Sequence, residues 1–327
     1  MRCCERPLKA LPSSDDSLKG PLDRRLEPVD SDDTCTESTG SDVGDGDLND
    51  DKAIVVLSTA ELLPLETDVD DELYSMSRDI HSSDWLVQYN AIECFRRGLV
   101  HHAHEASEYF PEVVDAIQAA SLNLRSAMSK NALLAFAETF EYAPDVASQV
   151  DCRLVVDALL KRAACEKKFL RDAADYALAK MASCAPSTSI LLACASVADS
   201  KSGKLGAAGC NATVLCLQEM QRRGMTLDNA ESGGKLVQQL VKFRSGKDVK
   251  TREDALRGCT ITSHLVGGID AFDKLVTSSV SSKIVAIKLI ADTKMALSGR
   301  ALSKTPSTGS SSQGLRERLE HMRKSVR

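Results

Sequence analysis

SDWLVQYNAIECFRRGLVHH, residues 83–102, carries Tyr89, Ile92, Phe95 and Leu99 at steps of three and four. Side chains at that spacing share one stripe of a helix, and Gln88, Glu93, Arg96 and Arg97 fall outside it, the pattern of an amphipathic helix. The same spacing returns at Met128, Ala132, Leu133, Phe136 and Phe140, and again at Ala174, Ala177, Leu178 and Met181. Met and aromatic stripes at this period read as core rather than as a cofactor box.

Shorter apolar helices are predicted over 112–120, 152–163, 189–198, 235–243 and 270–277, each joined by a brief polar loop to a longer one. The longer, second helices begin near Leu86, Ser126, Arg171, Leu205, Glu253 and Lys283, at intervals of 40, 45, 34, 48 and 30 residues. A wandering period of about 40 with two helices per unit is the HEAT and armadillo pattern, in which no unit buries its apolar face alone. The expected fold is therefore all-α, an α-α superhelix of about six helical hairpins. Pro111, Pro144 and Pro186 fall at helix boundaries, where a missing N–H is tolerated. Gly98, Gly206, Gly209 and Gly258 lie inside predicted helices, at a cost of about 1 kcal/mol each relative to Ala.

Composition agrees with that reading. Aromatic residues make up only 4% of the 327-residue chain, against 43% hydrophobic in all, which favours helices over strands. The net charge of −6 is uneven: residues 1–69 hold 17 acids and 7 bases, so the remainder holds 30 and 34. A body this close to neutral lacks the broad basic surface that drives nucleic-acid affinity, and no nucleic acid is expected as partner. Eleven cysteines without CxxC spacing fit neither a disulfide framework nor a zinc site; Cys94, Cys194, Cys210, Cys216 and Cys259 read as core thiols in a reducing compartment. No apolar run is long enough to span a membrane. Cys3 and Cys4 beside Arg2 and Arg6 are compatible with acylation, although two thiols in a tail is the plainer reading.

The chain divides into three parts. Residues 1–66 are expected to form a disordered acidic arm, with nine acids and no base over 29–51, too polar to offset the entropy of ordering. Residues 67–302 form the repeat domain, and 303–327 a flexible linker (SKTPSTGSSSQG) with a short basic tail, LRERLEHMRKSVR, that is either helical or solvated.

In a ladder of paired helices the loops within each pair emerge along one edge. Read in order they are 81–85, 121–125, 165–169, 200–205, 247–252 and 278–283, and each after the first carries a base. Arg125, Lys167, Lys168, Lys204, Lys250 and Arg252 taken as a row suggest an elongated acidic partner. Trp85, the chain's single tryptophan, is either an interface anchor at that edge or a cap folded onto the end of the core.

Three stretches, residues 83–102, NLRSAMSKNALLAF at 123–136 and KKFLRDAADYALAKM at 167–181, together resemble the TOG domain family, especially its CLASP-like branch and the plant and ciliary TOG-array proteins. The resemblance covers about 70–297. It implies a six-repeat, non-catalytic paddle whose intra-repeat loops bind tubulin, placing the protein in the cytoplasm on microtubules. Carried over by position, Trp85, Leu124, Arg125, Lys167, Lys168, Arg171, Lys250 and Arg252 would be tubulin-binding residues. Where the family carries Arg or Lys at the start of the fourth unit's second helix this chain has Gly206, with Lys201 and Lys204 as substitutes.

No nucleophile elbow, HExxH or Walker loop is present, and neither cofactor nor metal is expected. His101, His102, His104 and Glu105 cluster at a helix end, where a solvated or C-capping role suits them better than metal ligation. Ser202, Gly203 and Lys204 lack the strand and first glycine of a phosphate loop. Two readings compete with tubulin binding: a general HEAT scaffold holding a peptide or protein in its concave groove, and a HEAT-repeat di-iron hydroxylase. The latter needs paired His-Glu motifs on successive repeats, and only His104-Glu105 is found.

Overall fold

Each stretch of helical spacing folds as the second member of a hairpin. The structure is a computed structural model, and it describes residues 54–66 and 68–299. Among these residues there are thirteen α-helices and no strand. The pairs are α1 (Val69–Asp79) with α2 (Trp85–His101), α4 (Phe110–Ser121) with α5 (Ser126–Tyr142) and α6 (Arg153–Ala163) with α7 (Lys168–Cys184). They continue as α8 (Thr188–Ala195) with α9 (Gly203–Arg222), α10 (Ala230–Arg244) with α11 (Val249–Leu265) and α12 (Ile269–Ser279) with α13 (Lys283–Leu297). A short α3 (Ala103–Glu108), which the apolar spacing does not announce, connects the first pair to the second.

The pairs stack in two layers. Second helices pack in the order α2, α5, α7, α9, α11, α13, and first helices in the order α4, α6, α8, α10, α12. This is a HEAT/armadillo-type α-α superhelix of six hairpins. One continuous core runs through it, and the predicted stripes supply it: Ile92, Phe95, Leu99, Met128, Phe136, Phe140, Ala174 and Met181 are fully buried. Phe95 stacks on Phe110 across the first two repeats, with ring centroids 6.4 Å apart. Each such Ile, Leu, Met or Phe side chain contributes about 1.5–3 kcal/mol through the apolar area it removes from water.

Four second helices begin at a side-chain cap. Asp84, Ser202, Asp248 and Ser282 each accept a hydrogen bond from a backbone N–H of the first turn. Observed starts precede the expected ones by one to four residues in α2, α7, α9 and α11, so Trp85, Lys168, Lys204, Lys250 and Arg252 stand in first helical turns rather than in loops. An exposed first turn contributes nothing to an apolar stripe, which is why periodicity starts it late.

Two sequence expectations need correction. Residues 54–66, assigned to the disordered arm, form an ordered strap with a short 3-10 turn at Thr59–Glu61, and Leu62 and Leu65 are buried. The arm's expected disorder over 1–53, and the linker and tail over 303–327, lie outside the described residues. Arg96, placed by periodicity among the polar positions, is entirely buried beneath that strap. It makes a bidentate pair with Glu138 of α5, Nε to Oε2 at 2.8 Å and Nη2 to Oε1 at 2.9 Å, and donates to the Leu57 carbonyl at 2.9 Å and to Asn131 Oδ1 at 2.8 Å. Asn131 in turn donates to the Tyr89 carbonyl, and Thr59 donates to Glu138 Oε1. Burial pushes the Glu138 carboxyl up from its ordinary value, against the opposing pull of Arg96. Arg97 donates to the carbonyls of Leu63 and Pro64, and a ring nitrogen of His101 lies 2.8 Å from the Leu62 carbonyl oxygen. Side chains of α2 thus reach the carbonyls of Leu57, Leu62, Leu63 and Pro64 in the strap.

Of the predicted core thiols, Cys194, Cys210, Cys216 and Cys259 are buried and Cys94 is partly so. Burial pushes Cys210, Cys216 and Cys259 up to about 12 and Cys94 up to about 11, the opposite of what a thiolate nucleophile requires. Among the described residues no helix is long and apolar enough to cross a membrane, and no group of three His, Cys, Asp or Glu is placed to hold a metal ion.

Candidate loop-rim interface

The loops within the first four hairpins are laced to one another by side chains at and beside them. Arg125, before α5, holds its guanidinium 4.8 Å above the Trp85 ring centroid at the start of α2. Lys167, before α7, donates to Ser126 Oγ of α5 at 2.7 Å. Arg162 donates to the carbonyls of Ser121 and Asn123 in the second loop. Lys204 of α9 pairs with Glu166 of the third loop at 2.6 Å, holding that carboxyl below the usual carboxylate range. The first four loops therefore share one rim, the arrangement expected from the repeat geometry. Trp85 is half-buried, packed against the core on one side and under Arg125 on the other.

The basic residues divide into two roles. Arg171 and Arg252 each turn Nη1 back onto two carbonyls of their own loop: Cys165 and Glu166 for the first, Gly246 and Lys247 for the second. Both are thus positioning residues that shape the third and fifth loops. Lys168 and Lys250 are well exposed and form ion pairs within their own helices, with Asp172 and Asp254. Lys201 is exposed at the fourth loop. Gly206 lies on α9 where an added Cβ would meet open space, and being glycine it extends no side chain from that position.

At the N-caps of α5 and α7 the local rules are broken. These positions are occupied by Arg125 and Lys167, neither of which makes a side-chain cap. A cation there lies against the positive end of the helix dipole and forgoes a cap worth about 1 kcal/mol. Such departures from local preference concentrate at functional sites.

A row of exposed apolar side chains accompanies the bases. Leu124 is 96% exposed, and Leu86, Phe169, Val249 and Ile284, all at the first turns of second helices, are exposed as well. Only Leu124 among these was singled out from the sequence. The signal was available: each is an apolar residue directly after a polar loop and outside the core stripe. Apolar side chains interleaved with exposed bases are the composition of a protein-binding surface rather than of a solvated edge.

The face of the second-helix layer offers a further groove of about 950 Å³, lined among others by Gln218, Arg222, Leu256, Arg257, Ile261 and His264. The strap 54–66 occupies the corresponding face at α2 and α5.

No family model matches the sequence, and a search of curated proteins finds no match. Among solved structures the chain is similar to an engineered protein of the Northeast Structural Genomics Consortium, at 16% identity over 72% of this chain and 98% of that one, with a TM-score of 0.36. It is likewise similar to a designed armadillo repeat protein in complex with the peptide (KR)4, at 14% identity over 69% of this chain and 99% of that one, with a TM-score of 0.39. Likeness at these TM-scores carries no functional argument for this chain.

Proposed function

We propose that this chain is a non-catalytic, protein-binding repeat scaffold of the TOG type, which binds tubulin through its loop rim. The observation that carries the rim is the pair of N-cap positions given to Arg125 and Lys167 against the helix dipole, beside Trp85. Leu124, Lys168, Lys201, Lys204 and Lys250 extend that surface along successive repeats. Tubulin as partner rests on the resemblance of 83–102, 123–136 and 167–181 to the TOG family, and on the fit of a basic, apolar-studded edge to an elongated acidic protein.

Co-sedimentation with purified tubulin tests the reading. The triple substitution Trp85→Ala, Lys167→Ala, Lys168→Ala should weaken binding by about 2 kcal/mol or more, since it removes an aromatic anchor and its neighbouring charges. Unchanged affinity would show that the rim is not the tubulin surface.

A second reading, a scaffold that holds an extended peptide on the second-helix face, is favoured by the strap, whose backbone carbonyls α2 already binds through Arg96, Arg97 and His101. Arg257→Glu on that face separates the two. It should leave tubulin binding intact if the rim is the site and abolish partner binding if the groove is.

A further inference from the structure

Helix α13 presents apolar residues on two sides. Ala286, Leu289 and Ile290 are buried, and the helix packs on α11 and α12. On another side Ile284, Ile287, Ala291 and Met295 recur at steps of three, four and four, all exposed, Ile287 by 68%. A side of a solenoid repeat on which no further repeat stacks is ordinarily polar. An apolar stripe in that place marks a surface that something covers.

The basic tail carries a stripe to match. Over 315–326, Leu315, Leu319, Met322 and Val326 recur at steps of four, three and four. Wound as a helix, these four side chains fall within an arc of ~60°, and the stripe is about 17 Å long, the length of 284–295 on α13. Arg316, Arg318, Arg323, Lys324 and Arg327 lie outside that arc. The intervening residues, 300–314, span at most about 50 Å, which reaches any point of α13. A tether of that length holds the tail at an effective concentration in the millimolar range, so it outcompetes a second copy of the chain at ordinary protein concentrations.

We propose that residues 315–326 dock as an amphipathic helix along the stripe Ile284, Ile287, Ala291 and Met295, and so cover the exposed side of α13.

Hydrogen exchange on the full chain tests this, alongside two variants: Ile287→Asp with Met295→Asp on the helix, and Leu319→Asp with Met322→Asp on the tail. Ile287 and Met295 are exposed, so the repeat core tolerates the first pair. The expected result is at least ten-fold slowing of exchange over 318–326 in the wild type, lost in both variants, with α9 and α11 unchanged. Absence of slowing, or slowing that survives Ile287→Asp with Met295→Asp, overturns the proposal. So does a concentration-dependent dimer that protects α13 and persists in the tail variant, which would make a second copy the occupant.

Discussion

The Arg125 guanidinium sits 4.8 Å above the centroid of the Trp85 ring and thereby ties the second loop to the first. An exposed cation–π contact of this kind contributes about 0.5–1 kcal/mol, too little to explain retaining an arginine at an N-cap for stability alone. Because the chain has a single tryptophan, its fluorescence reports this contact directly. Arg125→Ala should shift Trp85 emission to the red as the ring loses its cover, with the thermal midpoint little changed. An unshifted spectrum would mean that the stacking is not held in solution.

Lys167→Asp exchanges a cation at the N-cap of α7 for a capping anion, at the expense of one exposed hydrogen bond to Ser126. Chemical denaturation should register a gain of up to about 1 kcal/mol. Tubulin co-sedimentation should fall in the same variant. A rim residue retained for binding trades in that direction, whereas a structural one would lose both.

The buried Arg96–Glu138 pair predicts an asymmetry between breaking and replacing it. Glu138→Ala leaves an uncompensated guanidinium and should destabilise by about 3–5 kcal/mol, while the double change Arg96→Met with Glu138→Leu should recover most of the loss. In the single variant the strap loses the partner of Thr59, and exchange over 54–66 should rise before that of α7 or α9. Equal exchange everywhere would show that the strap is held by Leu62 and Leu65 alone.

Two glycines of α9 should respond in opposite directions to Ala. At Gly206 an added Cβ meets open space, so helix propensity dominates and Gly206→Ala should stabilise by about 1 kcal/mol. At Gly209 the Cβ would overlap Val197 Cγ2 and stand 2.9 Å from the Cys194 carbonyl oxygen, where backbone cannot yield cheaply. Gly209→Ala should destabilise by about 1–3 kcal/mol, read as a lower denaturation midpoint.

Glu219 is held at about 2, first by the hydrogen bonds from Arg222 and then by the one from Arg223 Nε, against the opposing effect of burial. A folded-state value below the unfolded one stabilises above the unfolded carboxylate range, and that contribution disappears as pH falls from about 4.5 toward 2. The stability gap between wild type and Glu219→Gln should therefore be widest near neutral pH and close on acidification. A gap that stays constant across that window would assign the effect of the substitution to packing.

The hairpin ladder was legible in the sequence because apolar periodicity is a local property. Tyr89, Ile92, Phe95 and Leu99 had to share a face whatever they packed against, and three such stripes within six predicted helix pairs at a period near 40 mark a helical-repeat core. The basic loops were legible too, since a repeat places equivalent loops on a common edge. What periodicity could not reveal was what covers each polar face. Arg96 and Arg97 look alike in the pattern, yet Arg96 is sealed under the strap with Glu138 while Arg97 binds the strap's carbonyls from its edge. Nor does sequence separate Arg171 and Arg252, turned onto their own loops, from Lys168 and Lys250, which extend outward. Helical spacing needs only neighbours along the chain; the aim of Arg171 and Arg252 depends on the shape their loops take, and burial of a charge on residues about 40 positions away, such as Glu138 from Arg96, which only the folded structure brings within hydrogen-bonding distance.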